Sequence, residues 1–263
     1  MGTGGIGELR VTDATVVWLE GVDLPTGTVS TIDRHCPGGK AAMASFAESL
    51  RRAAQSAIDV DAAELVVGSQ PRVVKGERTQ AIYIADTLDN GAGYAVELGK
   101  PASMRQVLEE ISKELAARWQ SPAHATCDNA CPDCLRSWDN RFVHPLLDWR
   151  LALDVADLAL GLPLRTERWL DLAPDVAAGL AVAFRDVTDL KVGRAASGLV
   201  TLTASAEAAT VIIGHPLWGL TDSLLCQEQR LAFNEVQASG RTPVAVDVRT
   251  LMRSPTALIK LIG

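Results

Sequence analysis

The stretch His124-Ala-Thr-Cys127-Asp-Asn-Ala-Cys131-Pro-Asp-Cys134 decides how this chain is read. Three of its five cysteines lie here, while Cys36 and Cys226 lie far away. Disulfide frameworks belong to small secreted chains with cysteines spread along them, whereas a cluster in a reducing compartment points to metal. Cys131 and Cys134 have the two-residue spacing that lets both sulfurs face one ion across a tight turn, and Pro132 presets that turn. Cys127 is close enough to chelate the same ion. Structural zinc takes four ligands, nearly always thiolates and imidazoles, in tetrahedral geometry. His124 is the nearest candidate for the fourth position, and Cys36 and His144 are alternatives that the fold could bring in. Iron–sulfur clusters usually need four cysteines, so zinc is preferred. No open coordination position or neighbouring general base is apparent, so the expected role is structural.

Outward from the cluster, apolar spacing sets the elements. Met43, Phe46, Ala47, Leu50, Ala54, Ala57 and Ile58 recur at three- and four-residue intervals after Gly38-Gly39, which predicts an amphipathic helix. A second helix is expected from about Ser103 to Trp119. A third begins near Pro145, carries Leu147, Leu151, Val155 and Leu158 inward, and stops at Gly161 and Pro163. Residues 10–19, Leu65–Val67 and Ala81–Ala85 read as strands, with Thr26–Ile32 as a hairpin partner for the first. Segment 71–79 reads as a loop or hairpin. Beyond residue 165, Leu199–Thr203, Thr210–Ile213 and Pro243–Val248 read as strands, and Leu224–Ala238 and Leu251–Ile262 as helices. The expected class is mixed α/β. Residues 1–165 form the strands, helices and metal knuckle, and 166–263 a smaller α/β region.

The chain has 263 residues, 48% hydrophobic and 22% charged, enough to bury a core without disulfide staples. Its first residues lack the basic-then-apolar pattern of a signal peptide, and no apolar run reaches the roughly 18 residues of a membrane span. A cytoplasmic location is therefore expected, with no membrane partner. The net charge of −7 disfavours autonomous high-affinity DNA binding, which relies on Lys and Arg against phosphates. Gly2-Thr-Gly4-Gly-Ile-Gly7 matches a dinucleotide fingerprint in letters only, with no strand before it. Pro37-Gly-Gly-Lys40 lacks the first glycine of a phosphate loop and carries Ala41 in place of the Mg²⁺-binding Ser/Thr. Asp86, Asp89 and Asn90 are expected to shape a turn. Arg136, Arg141 and Arg150 are balanced by nearby aspartates, so self-pairing competes with phosphate contact.

CDNACPDCLRSWDNRFVHPLLDWRLALDVADLALG, residues 127–161, resembles the DUF1998, or Mrf-type, zinc-binding domain of bacterial superfamily 2 DNA helicases. SLRRAAQSAIDVDAAEL (49–65) and IYIADTLDNGAGY (82–94) are similar to its helix, turn, strand and glycine-rich turn. The likeness spans roughly 9–161. It implies zinc on Cys127, Cys131 and Cys134. The family's usual fourth cysteine has no counterpart here, which leaves that place to His124. It further implies a non-catalytic subunit of a protein complex with a superfamily 2 helicase, reaching DNA through that complex, in DNA repair or DISARM-type antiviral defence. Two other classes compete: a nuclease or other enzyme built on the C-terminal half, and a stand-alone DNA-binding zinc module.

Overall fold

The computed structural model describes residues 11–19, 23–24, 27–28, 38–74, 76–124, 126–204 and 209–262. Three short strands come first: β1 (Ala14–Val17), β2 (Asp23–Leu24) and β3 (Gly27–Thr28). Helix α1 (Gly39–Ile58) buries Met43, Phe46, Ala47, Leu50 and Ala54, the stripe its spacing dictates. Its start needs glycine. The Gly38 N–H donates to Pro216 O at 3.1 Å, and a Cβ there would lie 2.5 Å from that oxygen. This close approach ties the first helix to the C-terminal half.

Two ten-residue strands, β4 (Leu65–Val74) and β5 (Glu77–Asp86), then form an antiparallel hairpin. Residues 71–74 and 77–79 thus belong to the two paired strands, with Gly76 in the turn between them. Leu65, Ile82 and Ile84 are buried beside α1. Strand β1 pairs with β5, giving the order β1-β5-β4. The expected hairpin partner, 26–32, is described only at Gly27-Thr28, which pairs with Asp23-Leu24 instead. The rest of that segment and Cys36 lie outside the described residues.

After the sheet come α2 (Tyr94–Leu98) and α3 (Pro101–Glu110), with the latter continuing through a π-helical stretch, Ile111–Leu115, into α4 (Ala116–Trp119). Helix α5 (Trp149–Ala159) starts four residues later than Pro145 suggests, because Asp148 caps it by accepting from Arg150 N at 3.1 Å. It lies along α1.

The C-terminal half adds α6 (Glu167–Leu170), α7 (Ala173–Ala183), β6 (Leu190–Arg194), β7 (Val200–Ala204), β8 (Ala209–Gly214), α8 (Gln227–Ala238), β9 (Thr242–Asp247), α9 (Val248–Arg253) and α10 (Ala257–Ile262). The sheet order is β6-β7-β8-β9, antiparallel except for the parallel β8–β9 pair, which α8 connects. The expected single terminal helix is broken between α9 and α10, where Ser254 leaves the helical region before Pro255. Mixed α/β is therefore the observed class. One continuous buried core runs from Ala41 to Ile262. No helix among the described residues is long and apolar enough to cross a membrane.

Polar groups inside that core join the halves. Asp154 and Asp157, one turn apart on α5, are both fully buried. Arg168 spans them, with Nη1 to Asp154 at 2.8 Å and Nη2 to Asp157 at 2.7 Å. Burial opposes the Arg168 charge, but the two carboxylates outweigh it and raise its pKa. Trp169 Nε1 and Ser112 Oγ add donors at 2.9 and 2.6 Å. His215, at the end of β8, turns Nε2 to Asp154 Oδ2 at 3.3 Å, while its Nδ1 accepts from Leu217 N at 3.0 Å. Arg249 and Arg253 of α9 donate to the carbonyls of Leu146 and Leu147, just before α5.

Two outcomes follow from these buried charges. Arg168→Met strands two carboxylates and should cost about 3–5 kcal/mol in urea unfolding. Arg168→Lys should recover only part, because an ammonium cannot fork across both acids. Asp148 behaves differently. Burial pushes its carboxyl up to about 7, against the opposing pull of Arg150, Arg249 and Arg253. An unfolded Asp titrates near about 3.9. Between those values the native state holds the extra proton, so Asp148 makes stability fall as pH rises from about 4 to about 7. Asp148→Asn keeps the cap and should remove that slope. Equal slopes in both proteins would contradict the assignment.

Candidate metal centre

The cluster sits in a turn between α4 and α5, beginning at the 3-10 turn Pro122–His124. His124 Cys131 and Cys134 place one ligand atom each within 4.8 Å of one another. Cys127 Sγ lies 3.9 Å from Cys134 Sγ. Two thiolates at about 2.3 Å on one tetrahedral zinc stand roughly 3.8 Å apart, so this separation suits a shared ion. The Cys131 N–H donates to Cys134 Sγ at 3.0 Å, which favours the thiolate in a tight turn.

The imidazole supplies the test of fit. His124 is buried, and neither ring nitrogen has a hydrogen-bond partner among the described residues. Buried polar atoms are rarely left unpaired in native structures. An unpaired imidazole beside two thiols is what a ligand set looks like without its ion. The thiols agree. Burial first, then the neighbouring Cys134 and Cys131 sulfurs, push Cys127 up to about 12, and burial also raises Cys134. Proton for proton, this pocket disfavours thiolates until a cation enters.

The turn is held from outside by groups whose roles were open in the sequence. The Trp149 N–H donates to Asn129 O at 2.8 Å, and its indole Nε1 donates to Cys127 O at 3.2 Å. Trp149 stacks on Trp119, with ring centroids 5.8 Å apart. Arg52 of α1 donates to Cys134 O, Arg150 to Asp128 O, and Arg136 to Asn129 Oδ1. These arginines brace the backbone of the knuckle, and Arg150 also lies over the Trp149 ring. Arg141 stacks between Trp138 and Phe142, at 4.8 and 4.4 Å from their ring centroids.

The other candidates lie elsewhere. His144 Nε2 is engaged by Asn140 Oδ1 at 2.8 Å and Ser137 O at 2.9 Å, so it locks the loop after the knuckle. Asp86 accepts from the N–H groups of Ala92, Gly93 and Ala95 and organises the glycine-rich turn. Asn90 adopts a left-handed conformation in that turn. Cys226 is buried at the start of α8. Sequence reasoning missed the bracing by Arg52, whose only signal was a basic residue on the face of α1 opposite its apolar stripe.

Elemental analysis of protein purified without chelator should give about one zinc per chain. Stripping it should lower the melting temperature sharply, since structural zinc contributes on the order of 10 kcal/mol of apparent folding free energy. Cys131→Ser should do the same. His124→Ala should lower zinc retention, and His144→Ala should leave it unchanged. The reverse pattern would move the fourth position to His144.

Among the comparisons with known proteins, one family model bears on the metal. No curated protein matches the chain. A solved structure, described as the crystal structure of DUF1998 helicase MrfA bound to DNA, is similar at 18% identity and a TM-score of 0.33, covering 45% of this chain and 14% of that one. This chain therefore spans a small fraction of the length of the protein it resembles. Residues 46–135 match the model of the MrfA Zn-binding domain family, so this segment is similar to a zinc-binding domain, and zinc is the metal that its His and Cys group would hold.

Proposed function

We propose that this chain is a non-catalytic zinc-binding subunit that docks on a superfamily 2 DNA helicase, in the cytoplasm, in anti-phage defence or DNA repair. Zinc is held by His124, Cys127, Cys131 and Cys134, and its role is to fix the turn between α4 and α5. DNA is met through the complex.

One observation carries this reading beyond the family match: what the knuckle presents. Directly after Cys134, the loop exposes two large aromatic side chains, Trp138 at 78% and Phe142 at 82%. Scattered exposed apolar residues need no explanation, but paired aromatics on a braced loop do. Phe142 also borders a 360 Å³ cleft whose walls include Leu65, Val66, Val67 and Val143. Val66 and Leu88 are exposed nearby in sequence on β4 and after β5. Aromatic anchors beside an apolar cleft are how stable protein interfaces concentrate their energy. The His144–Asn140 pair and Arg141 hold the loop in place, so little ordering is lost when a partner covers it. The buried His215–Asp154 pair offers no competing catalytic site, because both residues are fully buried and engaged in the core.

The purified chain should show negligible ATP hydrolysis, nuclease activity and DNA binding near physiological salt. Mixed with the superfamily 2 helicase encoded beside it, it should form a stable complex with DNA-dependent activity. Trp138→Ala with Phe142→Ala should weaken that complex by about 2 kcal/mol or more, roughly thirtyfold in Kd, without lowering zinc content. Robust catalysis by the isolated chain would falsify the subunit reading.

A further inference from the structure

The C-terminal half contains a second cleft, of 510 Å³, that shares no residue with the metal centre. It opens between the α6–α7 segment and the β6–β7 hairpin, with Trp218 and Glu228 among its lining residues. Its volume falls within the roughly 300–1,000 Å³ typical of small-ligand sites. The lining has two chemical parts. Leu170, Pro174 and Leu199 are apolar, whereas Glu167, Asp171 and Glu228 are carboxylates set against a single arginine, Arg194. Arg194 already donates to Gly198 O at 2.6 Å.

The second, independent observation is a set of polar atoms with nothing to bond. Trp218 is 2% exposed, and its indole N–H has no hydrogen-bond partner among the described residues. Among the described residues neither Ser197 Oγ nor Glu228 Oε2 has one either, although the Glu228 carboxyl also meets the Cys226 thiol, and all three residues line this cleft. A buried unpaired polar group costs about 1–3 kcal/mol. Three of them around one open cleft form a set that water completes in the free protein and that a ligand with matching polar groups can take over. The requirements are specific. Trp218 needs an acceptor, Glu228 needs a donor, and Ser197 takes either. Three carboxylates against one engaged arginine call for a positive charge.

We propose that this cleft binds a cationic ligand that also carries a carbonyl or hydroxyl oxygen. This is the chemistry of a basic amino acid, either free or as an arginine or lysine residue of a peptide segment. The oxygen accepts from the Trp218 indole N–H, with Ser197 beside it. The ammonium or guanidinium faces Glu228, with Glu167 and Asp171 adding attraction. The alkyl stem lies along Leu170, Pro174 and Leu199.

Calorimetry on the zinc-loaded full chain tests this with Nα-acetyl-L-argininamide, L-argininamide and an acetyl-Gly-Arg-Gly-amide peptide, and with Nα-acetyl-L-norleucinamide as the uncharged control. Measurable binding of at least one arginine probe, and binding at least tenfold weaker for the norleucine control, is the expected result. Glu228→Gln should weaken the arginine probes at least tenfold. If that variant folds poorly, Asp171→Asn at the exposed rim should weaken them several-fold instead. Preference for the tripeptide assigns the site to a partner's peptide segment, and preference for argininamide to a free amino compound. Binding of none of the arginine probes, equal affinity for the norleucine control, or unchanged affinity in the carboxylate variants overturns the proposal. Zinc content and helicase binding are read separately, so failure here leaves the subunit reading standing.

Discussion

Helix α5 is the element on which the other parts converge, and its constraint is electrostatic. It carries Asp148, Asp154 and Asp157 in buried positions. A carboxylate removed from water must be paired and hydrogen-bonded or it destabilises the fold. For Asp154 and Asp157 the partners come from beyond the helix, with Arg168 forking across both and Trp169, Ser112 and His215 adding contacts. For Asp148 they are the Arg150 N–H and the arginines of α5 and α9, while its backbone N–H donates to the Ser45 hydroxyl of α1. The helix therefore cannot be seated until α1, α6, α9 and the end of β8 are near it. One element thereby couples the two halves of the chain through a single core.

The metal centre inherits its geometry from that seating. Trp149 and Arg150, the first residues of α5, hold the carbonyls of Cys127 and Asp128 and the backbone of Asn129. Arg52 reaches from α1 to Cys134 O. The knuckle is thus pinned on two sides by helices that already pack together, and His124, Cys131 and Cys134 converge inside that frame. This arrangement gives zinc a local role with a wider effect. On the proposed reading zinc stiffens the turn and, through the loop that follows, the placement of Trp138 and Phe142. The arginines around the cluster, which in sequence offered themselves to phosphate, are used largely to satisfy backbone oxygens of the turn. The acidic charge of the chain likewise disfavours autonomous binding to bare nucleic acid.

Much of the architecture could be read in the sequence because its signals are local. The apolar stripe of α1, the strand at Ala81–Ala85, the strands and helix between residues 199 and 248, and the cysteine spacing all depend on neighbours within a few residues. Misreadings arose where a distant group intervened. Strand β1 pairs with β5 because that edge lies beside it in space, not because of chain proximity. Helix α5 starts at Trp149 because Asp148 finds its cap and its buried partners there. Strand β6 and helices α6 and α7 gave weak signals. Pro174 and Gly179 interrupt the helical pattern, and most of β6 is exposed, so no alternating stripe forms.

The sequence by itself determined that three thiols and an imidazole lie close enough along the chain to share one ion, because chelation at such short spacing needs only a turn. It also determined the class, since helical and strand periods are written in residue order. Only the tertiary structure decided that His144 is engaged by Asn140, while both His124 nitrogens have no hydrogen-bond partner among the described residues and lie beside Cys131 and Cys134. It alone gave His215-Pro-Leu-Trp218 a role. His215 meets Asp154 across the two halves, and Pro216 receives the N–H of Gly38. These contacts join residues far apart in the chain. Their energies depend on burial and angle, and neither quantity exists until the chain has folded.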